Sequence, residues 1–227
     1  MTAPLKLVIF DVDGTLVDSQ GDIVAAMANA FERAGHPAPS REATLGIVGL
    51  SLDKAIPRLA PELGPETHSA MVEWYKDAYV ALRAQAGAAA SSPLYPYALE
   101  TLTALHAQPE TLLGVATGKS RRGLDKLFEA HDLARYFVTC QVSDHHPSKP
   151  HPAMLQAALS ETGVEARDAV MIGDTTYDRD MALAAGVPFI GVSWGYHDVD
   201  ALTGAAAILR DFRELPGILT NIWEAAA

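Results

Sequence analysis

Leu5-Lys6-Leu7-Val8-Ile9-Phe10-Asp11-Val12-Asp13-Gly14-Thr15 runs from an almost unbroken apolar segment straight into two carboxylates and a glycine turn. A short run of this kind suits a strand buried on both faces, as in a parallel sheet. Residues two apart in an extended chain point to the same side. Asp11 and Asp13 can therefore share one site at the carboxyl end of the strand, where open α/β sheets bind ligands. One carboxylate can attack while the other handles a proton, and their joint negative charge calls for a cation. Taken alone, Asp-x-Asp-Gly is equally an ordinary polar strand-to-turn junction.

Working outward, Leu112–Ala116, Ala169–Ile172 and Phe189–Val192 are further apolar runs, each followed by a polar or glycine-containing turn. Helical spacing lies between them at Leu99, Leu102 and Leu105, at Leu124, Leu127 and Phe128, and at Met154, Leu155, Ala158 and Leu159. This alternation predicts an α/β fold with a doubly wound, Rossmann-like parallel sheet. The interval after Asp18 breaks it, because residues 18–90 hold no strand-like run and carry helical spacing at Ile23, Met27, Ala30 and Phe31. Ser19-Gln20-Gly21-Asp22 is expected to form a capping box and Gly35-His36-Pro37 to end that helix. Further helices fit Leu52–Leu59 and Thr67–Ala84, and Gly87–Ser92 reads as a return linker. The expected division is a core of residues 1–17 and 92–227 with an all-helical insertion, residues 18–91.

Three more polar groups fall at strand ends. Thr117-Gly118-Lys119-Ser120 opens a helix, so a hydroxyl and free N–H groups can face an anion. Lys149-Pro150 offers a point charge suited to a phosphate. Gly173-Asp174-Thr175-Thr176-Tyr177-Asp178 adds two carboxylates, the oxygen donors a hard cation such as Mg²⁺ takes. Singly, each has a plain structural reading as a helix cap, a surface lysine or dipole-complementing acids.

In this order and at these spacings, the motifs resemble the haloacid dehalogenase-like hydrolase superfamily, in the subgroup with a helical cap inserted after the first strand. The resemblance covers essentially the whole chain. Asp13-Gly14-Thr15-Leu16-Val17-Asp18-Ser19 and Ala184-Ala185-Gly186-Val187-Pro188 are similar to phosphoglycolate phosphatase-like members. The resemblance implies a Mg²⁺-dependent phosphomonoester hydrolase acting on a small phosphorylated metabolite such as phosphoglycolate. It implies Asp11 as the nucleophile that becomes an aspartyl phosphate and Asp13 as the acid and base. Thr117, the Gly118 amide and Lys149 would hold the phosphoryl oxygens. Asp11, the Asp13 carbonyl and Asp174 would hold Mg²⁺, with Asp178 a direct or water-mediated ligand. An anionic nucleophile meeting an anionic phosphate needs such positive charge. Asp13 argues against the dehalogenase branch, which lacks an acid there because a halide leaves without a proton. Tyr97 departs from the Pro-Gly-Val turn common in related phosphatases and puts the local turn geometry in question.

Composition narrows the partners. The 227 residues are 49% apolar, enough for a substantial core, and 17 basic against 28 acidic residues leave a formal charge of -11. This disfavours a nucleic-acid binder or a basic membrane-surface protein. No segment approaches the length of a membrane span, and Leu7–Phe10 is too short for a signal-peptide core, so the expectation is a cytoplasmic protein. The single cysteine, Cys140, reads as a core thiol. Gly114–Ser120 lacks the spacing of a P-loop, and His145, His146 and His151 read as solvated loop residues. Lys54 and Arg58 are the cations expected to meet a second anionic group on the substrate, near a substrate-facing segment Leu50–Asp53. Two other readings stay open: a phosphoglucomutase-like phosphoryl transferase on the same core, and a receiver-type phospho-accepting signalling module. Asp13, the insertion and the length disfavour the receiver.

Overall fold

The computed structural model describes residues 4–225, so residues 1–3 and 226–227 of the expected core lie outside the described residues. Strands β1 (Lys6–Phe10), β2 (Thr111–Thr117), β3 (Phe137–Val142), β4 (Ala169–Gly173), β5 (Phe189–Val192) and β6 (Ala207–Leu209) form one sheet in the order β3-β2-β1-β4-β5-β6. Every neighbouring pair is parallel. The chain leaves β1 toward one edge through β2 and β3, then returns to build β4, β5 and β6 on the other side. That reversal places a crevice at the carboxyl end of β1.

Helices α1 (Gln20–Arg33), α2 (Arg41–Leu45), α3 (Leu52–Leu59), α4 (Pro65–Ala86) and α5 (Ala88–Ser91) follow β1 without an intervening strand. Then α6 (Ala98–His106), α7 (Arg121–His131), α8 (Ala153–Thr162), α9 (Thr176–Ala185) and α10 (Leu215–Ala225) alternate with or follow the remaining strands. The two faces of β1 show why its sequence is apolar throughout. Val8 and Phe10 pack with Leu102, Leu124 and Phe212 on one side, and Leu7 and Ile9 pack with Met154, Leu155 and Met181 on the other.

Two strands escaped the sequence reading. β3 is an edge strand whose Val138 faces solvent while Thr139 and Gln141 are buried, so its polarity runs against the expected pattern. Their polar groups are satisfied by Glu161: Thr139 Oγ1 donates to its carboxylate at 2.6 Å and Gln141 Nε2 at 2.9 Å. β6 has only three residues.

The insertion carries its own apolar cluster, formed by Met27, Ala30, Phe31, Ile56, Ala60 and Met71. Two details correct the sequence reading. Ser19 precedes α1 but its side chain accepts no capping hydrogen bond, because its hydroxyl turns to Asp13 instead. The expected linker after Gly87 is largely the short helix α5. The two crossings between insertion and sheet lie side by side: Val17 pairs with Leu94, Asp18 N–H donates to Pro93 O at 2.9 Å and Tyr95 N–H to Leu16 O at 3.0 Å. Tyr97, just beyond, adopts φ 64°, the left-handed conformation in which glycine is usual, and its ring lies under the Arg213 guanidinium at 4.0 Å. Among the described residues no helix is long and apolar enough to cross a membrane.

Candidate active site

Asp11 is fixed by the strand that precedes it, since its N–H donates to Ile172 O at 2.9 Å and ties the end of β1 to β4. β4 delivers Asp174, and the first turn of α9 delivers Asp178. Carboxylate oxygens of Asp11, Asp174 and Asp178 lie within 4.8 Å of one another, all three buried. Lys149 Nζ, itself fully buried, donates to Asp11 Oδ1 at 2.7 Å and to Asp178 Oδ1 at 2.6 Å. The second oxygen of Asp178 closes a capping box on α9, accepting from Thr175 N–H at 3.1 Å and Thr175 Oγ1 at 2.6 Å. Asp178 is thus committed to protein donors on both oxygens. Asp174 accepts from Thr15 Oγ1 at 3.2 Å and from Tyr196 N–H at 2.8 Å. Gly14 makes this approach possible: at φ 85° it lies where a Cβ would collide with the Asp174 carboxylate.

Three buried carboxylates around one ammonium leave an excess of negative charge that a low-dielectric site tolerates poorly. Burial, with Asp178 adding repulsion, pushes the Asp11 carboxyl up to about 7 although Lys149 pulls it down. Burial and the neighbouring Asp178 and Asp11 likewise raise Asp174 well above the ordinary carboxylate range. Burial opposes the charge on Lys149, but Asp11 and Asp178 outweigh it and hold the ammonium above its usual value. An all-oxygen donor set with uncompensated negative charge fits a hard divalent cation such as Mg²⁺.

Asp13 stands apart from this cluster. Its Oδ1 accepts from Ser19 Oγ at 2.5 Å and pairs with Lys119 Nζ at 2.9 Å. Lys119 in turn lies 5.1 Å from the ring centre of Tyr79 in α4. Asp11, Asp13, Thr117 and Gly118 share a cavity of about 300 Å³ between the strand ends and the insertion. Thr117 is buried and its Oγ1 accepts from Lys119 N–H at 3.1 Å. Gly118 lies so close to the insertion that a Cβ would stand 2.7 Å from Gly49 O.

Six of the seven expected site residues stand at the carboxyl ends of β1, β2 and β4, and Lys149 reaches Asp11 and Asp178 from the loop between β3 and α8. The cap cations do not. Lys54 pairs with its neighbour Asp53 at 3.5 Å, and Arg58 donates to Tyr177 Oη at 3.0 Å and covers its ring. Both line a groove with Ser148, Lys149 and His151 that adjoins the cavity through Leu50, Ser51, Asp53 and Ser143, while the cations on the cavity wall itself are Lys76, Arg83, Lys119 and Arg122. Sequence reasoning gave no place in the site to Thr15, Ser19, Lys119 or Tyr196. Lys119 and Thr15 were within reach, since each sits inside a motif already singled out. Tyr196 had no local signal. Among the described residues the histidines of the Lys149 loop form no metal-holding group: His146 Nε2 contacts Gln141 Oε1 at 2.7 Å and His151 Nδ1 accepts from Ala153 N–H at 3.2 Å.

A crevice at the β1 switch point, floored by strand-end carboxylates and roofed by helices, puts the candidate site where doubly wound α/β proteins bind their ligands. The sequence profile of the family described as haloacid dehalogenase-like hydrolase matches residues 8–192, and the chain belongs to that family. It is 39% identical over 216 residues to the "Probable phosphatase IndB" of Dickeya dadantii (strain 3937), covering 93% of this chain and 92% of that protein. It is 32% identical over 209 residues to a phosphoglycolate phosphatase of Vibrio parahaemolyticus, covering 88% and 89%. Among solved structures, one titled as a predicted phosphatase from Clostridium acetobutylicum superposes with a TM-score of 0.82 at 26% identity, covering 98% of this chain and all 100% of that one.

Proposed function

We propose that the protein is a Mg²⁺-dependent phosphomonoesterase that works through an aspartyl phosphate on a small phosphorylated metabolite. The observation that carries this reading is Asp11 lining a cavity between the strand ends and the insertion, beside Asp174 and Lys149, with a second carboxylate, Asp13, in the same cavity. The family membership and the relatives named as phosphatases support it, and those named phosphoglycolate phosphatase put 2-phosphoglycolate among the first substrates to assay.

Asp11 attacks phosphorus through a carboxylate oxygen as the ester P–O bond breaks, and Asp13 gives its proton to the departing alkoxide. Asp13 then takes a proton from water. The resulting hydroxide displaces the Asp11 oxygen from phosphorus and releases phosphate. Asp11, the Asp13 carbonyl and Asp174 would hold Mg²⁺, with Asp178 a direct or water-mediated ligand. Bound there, the ion offsets the repulsion between Asp11 and the phosphoryl oxygens. Thr117, the Gly118 amide and Lys149 hold those oxygens, and residues 18–91 act as a cap that excludes water during the first step.

Phosphate release from a panel of esters, with Mg²⁺ and with chelator, tests this. Acid quenching during turnover should trap phosphate on Asp11, and Asp11→Asn should abolish release. Turnover by a folded, uncontaminated Asp11→Asn enzyme would overturn the assignment.

A further inference from the structure

The wall that the insertion gives the cavity is apolar. From α1 come Ile23 and Met27, from the loop before α3 comes Val48, and from α4 come Val72, Tyr75 and Tyr79. The cavity residues of α4, at positions 72, 75, 76, 79, 80 and 83, form one stripe along one helix face. Its only cations are Lys76, which is engaged by Glu73 at 2.8 Å, and Arg83 at the far end. From Tyr75 to Arg83 the helix rises about 12 Å, at ~1.5 Å per residue. Arg83 and Arg122 line the cavity at its outer part, together with Asp53 and Asp144.

A two-carbon carboxylate turned toward Ile23, Met27, Val48 and Val72 would lie among side chains that cannot replace its hydration, at a cost in binding. A cavity of about 300 Å³ also reaches the size of pockets that enclose whole drug-sized ligands. The rings of Tyr75 and Tyr79 stand 6.0 Å apart, tilted by 31°, and Tyr79 is braced by contacts with Ser92 and Lys119. Such a pair offers a rigid surface for a third ring.

We infer that the alcohol half of the substrate is a flat apolar group of aryl size, lying along α4 against Tyr75 and Tyr79, and not a short carboxylate. The inference rests on the phosphomonoesterase reading. Each CH₂ moved from water into such a wall contributes about fourfold in binding, so an aryl group gives a preference large enough to measure.

Ethyl phosphate, 2-phosphoglycolate and 2-phenylethyl phosphate separate the possibilities, because all three are alkyl esters. The glycolate leaving group is the least basic, so leaving-group chemistry works against the expected result. With Mg²⁺-loaded enzyme, kcat/KM for 2-phenylethyl phosphate should exceed that of both others at least tenfold. Tyr75→Ala and Val72→Trp, one removing the ring and one filling the cavity, should each lower the phenylethyl-to-ethyl ratio at least fivefold. A ratio does not depend on how much of a variant is folded. A rate on 2-phosphoglycolate equal to or above that on 2-phenylethyl phosphate overturns the inference, as does a ratio unchanged within twofold in both variants. Hydrolysis of 4-nitrophenyl phosphate with none of the three alkyl esters overturns it too. Failure on all four esters overturns the phosphomonoesterase reading and this inference with it.

Discussion

Lys149 is fully buried between two carboxylates, and replacing it by Met would leave Asp11 and Asp178 without their cation. Breaking a buried pair on one side costs about 3–5 kcal/mol, a loss that urea unfolding of metal-free Lys149→Met should register along with lost phosphatase activity. Asp13→Asn should behave differently: turnover falls by roughly 100-fold or more, while calorimetry shows Mg²⁺ still binding, because the main-chain carbonyl is untouched. Loss of both together would move Asp13 from proton transfer to metal binding. Cys140 provides a third check, since burial pushes its thiol up to about 11. Disulfide-reagent labelling at about pH 8 should be at least tenfold slower in the native protein than in denaturant, following the thiolate fraction and access. Asp11, Asp13, Thr117 and Asp174 were legible in the sequence because each position is dictated by the end of its own strand or the turn after it, and Lys149 because it stands just before the periodic helix that becomes α8. Lys119, Ser19 and Tyr196 acquire their roles only through contacts with residues brought in by the fold. Lys54 and Arg58, singled out from their place in sequence, line a groove that holds Lys149 and adjoins the cavity through Leu50, Ser51 and Asp53.

Among the elements, the loop from Ile47 to Ser51 does the joining. Gly49 O abuts Gly118, and Ser51 N–H donates to Ser148 Oγ at 2.9 Å, beside the buried Lys149. Gly118→Ala should push this loop outward, raising KM several-fold while leaving the melting of the sheet near that of the parent; an unchanged KM would mean that the loop yields without touching the substrate site. The paired crossings at Val17 and Leu94 provide a compact pivot for cap motion about 17–19 and 87–93. Crystals with and without a phosphate analogue should therefore differ in the placement of α1–α4 over the sheet, and identical placement would count against it. The elements hidden from sequence were those whose burial is unusual. β3 buries Thr139 and Gln141 because Glu161 satisfies them, and β6 is too short to show a period. Tyr97 was legible as a departure, and its positive φ shows where the local chain absorbs it.

For the molecule as a whole, Asp11 and Asp174 tie stability to pH. In the metal-free protein their carboxyls hold protons above the ordinary value of 3.8, Asp11 up to about 7. Between those limits the folded state binds more protons than the unfolded one, so stability falls as pH rises through that window. The Tm of chelator-treated protein should drop between about pH 5 and about pH 7.5, and Mg²⁺ should flatten the slope; a Tm that rises over that range without metal would contradict the electrostatics of the site. The separate apolar cluster of the insertion has a further consequence. Six buried side chains join α1, α3 and α4 without drawing on the two layers that sandwich the sheet. Amide protons in those helices should then exchange with deuterium through an opening that leaves β1 and β2 intact, so exchange in α1, α3 and α4 should run ahead of that in the sheet; equal protection in both would mean that the cluster does not open on its own.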